Sequence, residues 1–375
     1  MPYSDREELM KQVKGSLPYA AILWLWAAAL LPRTLGQCER KPVIFNFGDS
    51  NSDTGGYAAA FGVTFVLPFG RAFFHEQNSR ISDGRLLIDF LCESLKASYL
   101  SPYLESVGSN FTNGANFAIA GASTLPTFKL FSLNNHILQF LRFQARSILL
   151  ASKGYPDQVT EEEFKNALYV MDIGQNDLSA AFTYLTYDQI ILKIPTYIYE
   201  IRSAIWSIYQ SGGRNFWIHG TGPLGCMPQK LATTAPQNAT TDYDPVGCLV
   251  PLNNAAKEFN GQLKALCEEL QSGMNDITIV YVDVYSVKYD LIANSAKYGF
   301  ENPLEVCCGS GGPPYNFNQN VTCGNSGSTA CDPRRKYVSW DGVHFTQAAN
   351  FVIASSILSS NFSTPRTRLN FFCNG

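Results

Sequence analysis

The stretch "PVIFNFGDSNSDTGG" (42–56) changes character at its middle. Its first half is an apolar run of strand type. Its second half packs Gly, Asp, Ser, Asn and Thr into the nine positions from Gly48 to Gly56. Small residues tolerate unusual backbone angles and polar ones cap helices, so the stretch reads as strand, sharp turn, helix. Such a junction is either punctuation or a platform that presents one side chain and several free N–H groups to a single point. The side chain at stake is Ser50.

Four more apolar runs are bounded by Gly or polar turns: "ANFAIA" (115–120), "ALYVMDIG" (167–174), "NFWIHG" (215–220) and "ITIVYVDV" (277–284). They read as buried strands. Helical patterns lie between them. Leu252, Ala256, Phe259, Leu263, Leu266 and Leu270 recur at three- and four-residue steps. Residues 188–211 are also helix-like, with Pro195 expected to interrupt or kink them and Gly212-Gly213 to stop them. Alternating strands and helices predict an α/β fold with a parallel sheet covered on both faces, and ligand sites at the carboxyl ends of the strands. The long Gly/Pro/Asn-rich segment 309–335 departs from this pattern, and the cysteines around it predict that disulfides hold it.

The chain has 375 residues, 46% hydrophobic and 16% charged, with a net charge of −3. That balance excludes global disorder and gives no electrostatic reason to expect a nucleic-acid partner. Residues 17–31, "LPYAAILWLWAAALL", are too short for a membrane span and fit a secretory h-region. Residues 1–36 therefore read as a signal peptide cut after Gly36, with an uncleaved Golgi-type anchor as the alternative. Residues 37–375 form one domain, and it is secreted. All ten cysteines lie beyond the leader, consistent with disulfides. Sequons stand at Asn110, Asn238, Asn320 and Asn361. With no CxxC pair and four histidines, a metal site is a poor reading.

A serine that attacks an acyl group needs a base, an acid to orient that base, and donors for the oxyanion. His344 in "WDGVHFT" (340–346) has Asp341 three residues before it, a step that lets a carboxylate hold one imidazole nitrogen. Gly121 ends "NFAIAGAS", and Asn176 lies in "DIGQND"; a backbone N–H and a side-chain amide there can serve as donors. Taken singly, each is better read as turn chemistry. His219 reads as packed or substrate-proximal, and His75 and His136 as loop and helix-start residues. Trp217, Phe73 and Phe74 are candidate sugar-stacking platforms.

The blocks "GDSNSDTGG", "NFAIAGAS", "GQND" and "DGVH", in this order, resemble those of the GDSL esterase/lipase family within the SGNH hydrolases. "SRISDGRLLIDF", "FWIHGTGPLGC" and "KYVSWDGVHFT" resemble its secreted plant branch, and within that the early-nodulin and acetylesterase-like group. The resemblance covers roughly residues 42–360. It implies a three-layer α/β/α flavodoxin-like fold with a central parallel sheet of about five strands, and no cofactor. Carried across by motif, Ser50, Asp341 and His344 are the catalytic triad. Ser50, Gly121 and Asn176 form the oxyanion hole. The substrate implied is a small-molecule or polysaccharide ester, with acetyl favoured over long acyl chains, and the protein is a monomer without a stable membrane partner. The chain departs from the family pattern at Phe345, at "QND", and in "FVLPFGRAFFHEQN" (65–78), which is expected to shape the substrate mouth.

Overall fold

In a computed structural model, residues 38–374 are described except 76–78, 127–130 and 235–241. The leader and the sequon at Asn238 lie outside the described residues. The five apolar runs form five parallel strands: β1 (Ile44–Gly48), β2 (Gly114–Asn116), β3 (Leu168–Asp172), β4 (Asn215–His219) and β5 (Thr278–Val282). In the second run the strand proper ends at Asn116, and the N–H groups of Phe117 and Ile119 still donate to the β1 carbonyls of Asn46 (2.8 Å) and Gly48 (3.2 Å). A short hairpin, β6 (Cys308–Gly309) with β7 (Thr329–Ala330), stands apart. A sixth strand, β8 (Ser363–Thr364), joins the edge of β5 antiparallel, an addition to the expected parallel set. The order is β2-β1-β3-β4-β5-β8, which is the flavodoxin-type arrangement with its switch point between β1 and β3.

Side chains alternate across the sheet because the strand period is two. Phe45, Tyr169 and Phe216 face one layer, and Ile44, Leu168 and Trp217 face the other. The first layer is built by α3 (Leu133–Ser152), α6 (Tyr187–Gln210) and α8 (Val250–Gly273), and the second by α2 (Leu87–Ser94), α9 (Val284–Ala293) and α10 (Gln347–Leu358). The shorter helices are α1 (Gly56–Phe61), α4 (Glu161–Asn166), α5 (Gln175–Ala181) and α7 (Pro228–Thr234). Phe45 packs on Phe140, Phe164 and Tyr169, contacts worth about 0.5–1.5 kcal/mol each beyond area burial.

Two expectations change here. The helix α6 runs through Pro195 without a break. Pro195 is exposed, so the carbonyl that loses its helical partner has water available. Trp217 is fully buried within the sheet layer and offers no stacking surface. Phe73 and Phe74 pack instead against the guanidinium groups of Arg85 and Arg80.

Four disulfides pair Cys38–Cys373, Cys226–Cys248, Cys307–Cys331 and Cys308–Cys323, the last two holding the long loop as expected. Cys92 and Cys267 are free and buried, and burial pushes the Cys267 thiol up to about 12. Thiol titration of denatured, unreduced protein is expected to find two thiols, and native protein none that react in minutes. Six or more on denaturation would contradict these pairings. Among the described residues no helix is long and apolar enough to cross a membrane.

Candidate active site

The turn after β1 shows why its residues are those. A Cβ at position 48 would meet the Asp172 carbonyl oxygen at 2.7 Å and Ser52 Oγ at 2.6 Å, so only glycine lets β1 close on β3 there. Asn46 Nδ2 donates to Ser52 Oγ (3.0 Å) and to Asn116 Oδ1 (2.8 Å), which ties the turn to β2. Asp49 accepts from the Asn51 N–H at 2.9 Å. Asp53 accepts from the N–H groups of Gly55 (2.7 Å), Gly56 (2.5 Å) and Tyr57 (3.0 Å), capping the start of α1. It also accepts from the Ala120 N–H at 2.8 Å, drawing the segment after β2 against the Ser50 turn. Thr54 Oγ1 donates to the Leu100 carbonyl at 2.9 Å.

Ser50 is the exception. Among the described residues neither its hydroxyl nor its backbone N–H has a hydrogen-bond partner, and the N–H of Gly121 (φ 81°) has none either. Ser50, Gly121, Asn176 and His344 line one cavity of about 670 Å³. It opens over the carboxyl ends of β1 and β3, the switch point at which such sheets take ligands.

His344 Nδ1 lies 2.6 Å from Asp341 Oδ2, while Asp341 Oδ1 accepts the N–H groups of His344 (2.8 Å) and Val343 (3.0 Å). The carboxylate is thus fully committed, and His344 Nε2 is left without a partner. Burial opposes a charge on His344, but the charge and hydrogen bond of Asp341 outweigh it and hold the imidazole above its ordinary value. The same pairing holds Asp341 below the usual carboxylate value against its own burial.

This turn is braced from two sides. The N–H groups of Cys307 and Cys308 donate to the carbonyls of Ser339 (3.0 Å) and Trp340 (2.7 Å), so the disulfide-held loop fixes the approach to Asp341. The block "SRISDGRLLIDF" fixes the exit: Ser82 Oγ donates to the Phe345 carbonyl (3.0 Å), and Asp83 accepts from the Gln347 N–H (2.6 Å). Arg80 and Asp89 form a buried bidentate pair beneath it. The segment 65–78 reaches the cavity through Phe65.

In "QND" the two polar residues divide. Asp177 accepts from the N–H and hydroxyl of Thr124, both at 2.8 Å, anchoring the chain just past Gly121. Asn176 Nδ2 donates to the Ala122 carbonyl (3.0 Å) and, more weakly, to Asp49 Oδ2 (3.2 Å). Donation to an oxyanion therefore requires one of these N–H groups to turn, and the longer Asp49 contact is the cheaper to give up.

Sequence reasoning missed a buried charge cluster under this floor. Burial and the Asp172 carboxylate raise Asp49 above the usual carboxylate value. Burial works against the Asp172 charge too, yet His219, 3.5 Å away, and Lys288 hold it below that value. His219 is thus a packed residue outside the cavity lining. Lys288 is buried and also sits over the Phe345 ring at 4.7 Å, the position that departs from the family pattern. The signal was available: Lys288 falls on the buried stripe of α9 with Val284, Val287 and Leu291. Of the other histidines, His136 is buried near the start of α3 and His75 lies in a loop. The sequons Asn110, Asn320 and Asn361 are exposed. Among the described residues no cluster of His, Cys, Asp and Glu could hold a metal.

Comparison with known proteins identifies the family. The family described as GDSL-like Lipase/Acylhydrolase matches residues 44–357. A GDSL esterase/lipase of Arabidopsis thaliana is 53% identical over 345 residues, covering 91% of this chain and 92% of the relative. Another Arabidopsis thaliana relative, 45% identical over 351 residues, covers 88% and 93% and is named Alpha-L-fucosidase 3. The acetylxylan esterase Axe2 of Geobacillus stearothermophilus superimposes with a TM-score of 0.35 at 13% identity, over 85% of this chain and 93% of that one, too distant to bear on substrate. With the family profile spanning the sheet from β1 through α10 and relatives matching nearly end to end, the chain belongs to the GDSL lipase/acylhydrolase family and is a carboxylic-ester hydrolase.

Proposed function

We propose that this protein is a secreted serine esterase that removes small acyl groups, acetyl first, from cell-wall polysaccharide or glycosides. Ser50 attacks the ester carbonyl, His344 takes the hydroxyl proton and later returns it to the leaving alcohol, and Asp341 holds the imidazole tautomer. The N–H groups of Ser50 and Gly121, with the Asn176 amide, receive the oxyanion. Water then releases the acid from the acyl-enzyme. One observation carries the reading: an unpartnered serine hydroxyl shares a cavity with an imidazole whose far nitrogen is already held by a carboxylate. A polar substrate is supported by the amides and hydroxyls of Gln175, Ser179, Thr183, Gln229, Thr233 and Gln319 on the cavity wall.

Residues 1–36 act as the export signal and 37–375 as the hydrolase domain, with glycans on the sequons and a monomer as the working unit. A retained leader would instead leave the domain in the Golgi lumen. Lipase or transacylase action on longer acyl chains is the second enzymatic reading; Phe65, Ile81 and Met227 supply some apolar wall for it. A non-catalytic binding glycoprotein is the third reading, at odds with the unpartnered Ser50 hydroxyl. Glycoside cleavage, named for one relative, uses a pair of carboxyl groups flanking the bond, and among the described residues no Asp or Glu lines the cavity. A substrate panel separates these readings. Acetate release from acetylated xylan, with little fatty acid from a long-chain triglyceride, is the expected result. The reverse order would replace the esterase reading with the lipase one, and acyl transfer to an added alcohol would show the transacylase.

Asn176→Ala tests the oxyanion assignment. A donor lost from the transition state costs about 10²–10³ in kcat with KM little changed. Gly121 and the Ser50 N–H remain, so activity above background persists. A folded variant within about threefold of wild type in kcat leaves Asn176 a turn residue.

A further inference from the structure

The cavity holds a cation that the ester chemistry does not use. Lys230, on α7, is 9% exposed and lines the same cavity as Ser50 and His344. Its Nζ donates to the Ser179 carbonyl at 2.8 Å, in the last turn of α5. An ammonium has three N–H groups, so two remain uncommitted. Among the described residues no carboxylate pairs with Lys230, and none lines the cavity. Burial alone acts on the group and lowers it from its ordinary value. A buried charge without a counter-charge is costly, and evolution normally pairs or removes it. An aliphatic or amide side chain here would avoid that cost, unless the missing partner arrives with the substrate.

We infer that Lys230 is a specificity residue that binds a carboxylate carried by the ester substrate. One ammonium matches one carboxylate, whereas a phosphate dianion calls for further cations, and His344 is the sole other basic residue on the described wall. The carboxylate can belong to the alcohol part, as in an O-acetylated uronic acid, or to the acyl part, as in a dicarboxylic half-ester. The inference rests on the Ser50 esterase reading.

The bland alternative is that Lys230 only ties α7 to the end of α5. Two substrate pairs tell these apart. The first pair is the acetylated methyl glucuronoside and its neutral methyl glucoside counterpart. The second is 4-nitrophenyl hydrogen succinate and its methyl ester. Wild-type full chain is expected to favour the anionic member of one pair by about 10–100-fold in kcat/KM, the range of a charge-assisted hydrogen bond, and that pair identifies where the carboxylate sits. Lys230→Gln is expected to bring the ratio near one, and Lys230→Arg to keep most of it. Equal cleavage of both members of both pairs by wild type overturns the assignment without needing a variant, and leaves the esterase reading standing. So does a Lys230→Gln enzyme that slows both members alike. Failure of wild type to cleave any of the four esters removes both readings.

Discussion

Ser50→Ala is expected to lower kcat for ester hydrolysis by roughly 10⁴–10⁶-fold, as deletion of the nucleophile does in triad enzymes. The fold should be unaffected. The hydroxyl has no hydrogen-bond partner among the described residues, and the turn around it is held by Asn46, Asp49, Asp53 and Thr54. Removing an unbonded oxygen leaves all of those contacts in place. Circular dichroism and the thermal midpoint should match wild type, while labelling by a fluorophosphonate probe disappears. Turnover near the wild-type level in a folded Ser50→Ala protein would end the nucleophile assignment and, with it, the proposed mechanism.

Asp341→Asn has the second largest expected effect, about 10⁴-fold in kcat, because an amide cannot reproduce what this carboxylate does. Oδ1 accepts two backbone N–H groups and Oδ2 faces His344 Nδ1, so every contact needs an acceptor. The amide oxygen serves only one side, and its NH₂ either repels the backbone donors or forces the imidazole into the wrong tautomer. The pH profile provides an independent check. His344 must be neutral to accept the Ser50 proton. Its value is held above the ordinary 6.5, so wild-type kcat/KM should rise with pH through an apparent pKa above 6.5 and be lost as pH falls through it. In Asp341→Asn the burial that opposes the imidazolium remains and the main opposing charge is gone. The residual activity should therefore show its acid limb at lower pH. A variant with wild-type rate, or with the acid limb unmoved, would contradict the orienting role.

The layered fold and the positions of the strands were legible in the sequence because both depend on local pattern. Five apolar runs, each bounded by turn residues, became five parallel strands, and the three- and four-residue stripe at 252–270 became the buried face of α8. Ser50, Gly121, Asn176 and the Asp341–His344 step were also legible, since they stand at strand ends or on one short turn and the fold gathers strand ends at one edge. The run "ANFAIA" was legible as well: the ladder proper ends at Asn116, but the N–H groups of Phe117 and Ile119 still donate to the carbonyls of Asn46 and Gly48 in β1.

What the tertiary structure alone decided is which polar groups are already committed. Asp53 and Asp177 read as turn residues in one dimension. In three they clamp Ala120 and Thr124 on either side of Gly121, across separations that no local pattern encodes. The same holds for the brace on His344, made by Ser82, Asp83 and the disulfide-held Cys307–Cys308 pair. Disulfide pairing was open in the sequence, because ten cysteines admit many pairings and only proximity chooses among them. Lys230 and Lys288 make the point most directly. A lysine on a helix is usually solvated, and its charge gains meaning only from what surrounds it. Packing left Lys288 beside Asp49 and Asp172, and left Lys230 on the wall of the cavity with no acid beside it among the described residues. Burial converts an ordinary side chain into a demand for a counter-charge, and burial is a property of the assembled chain.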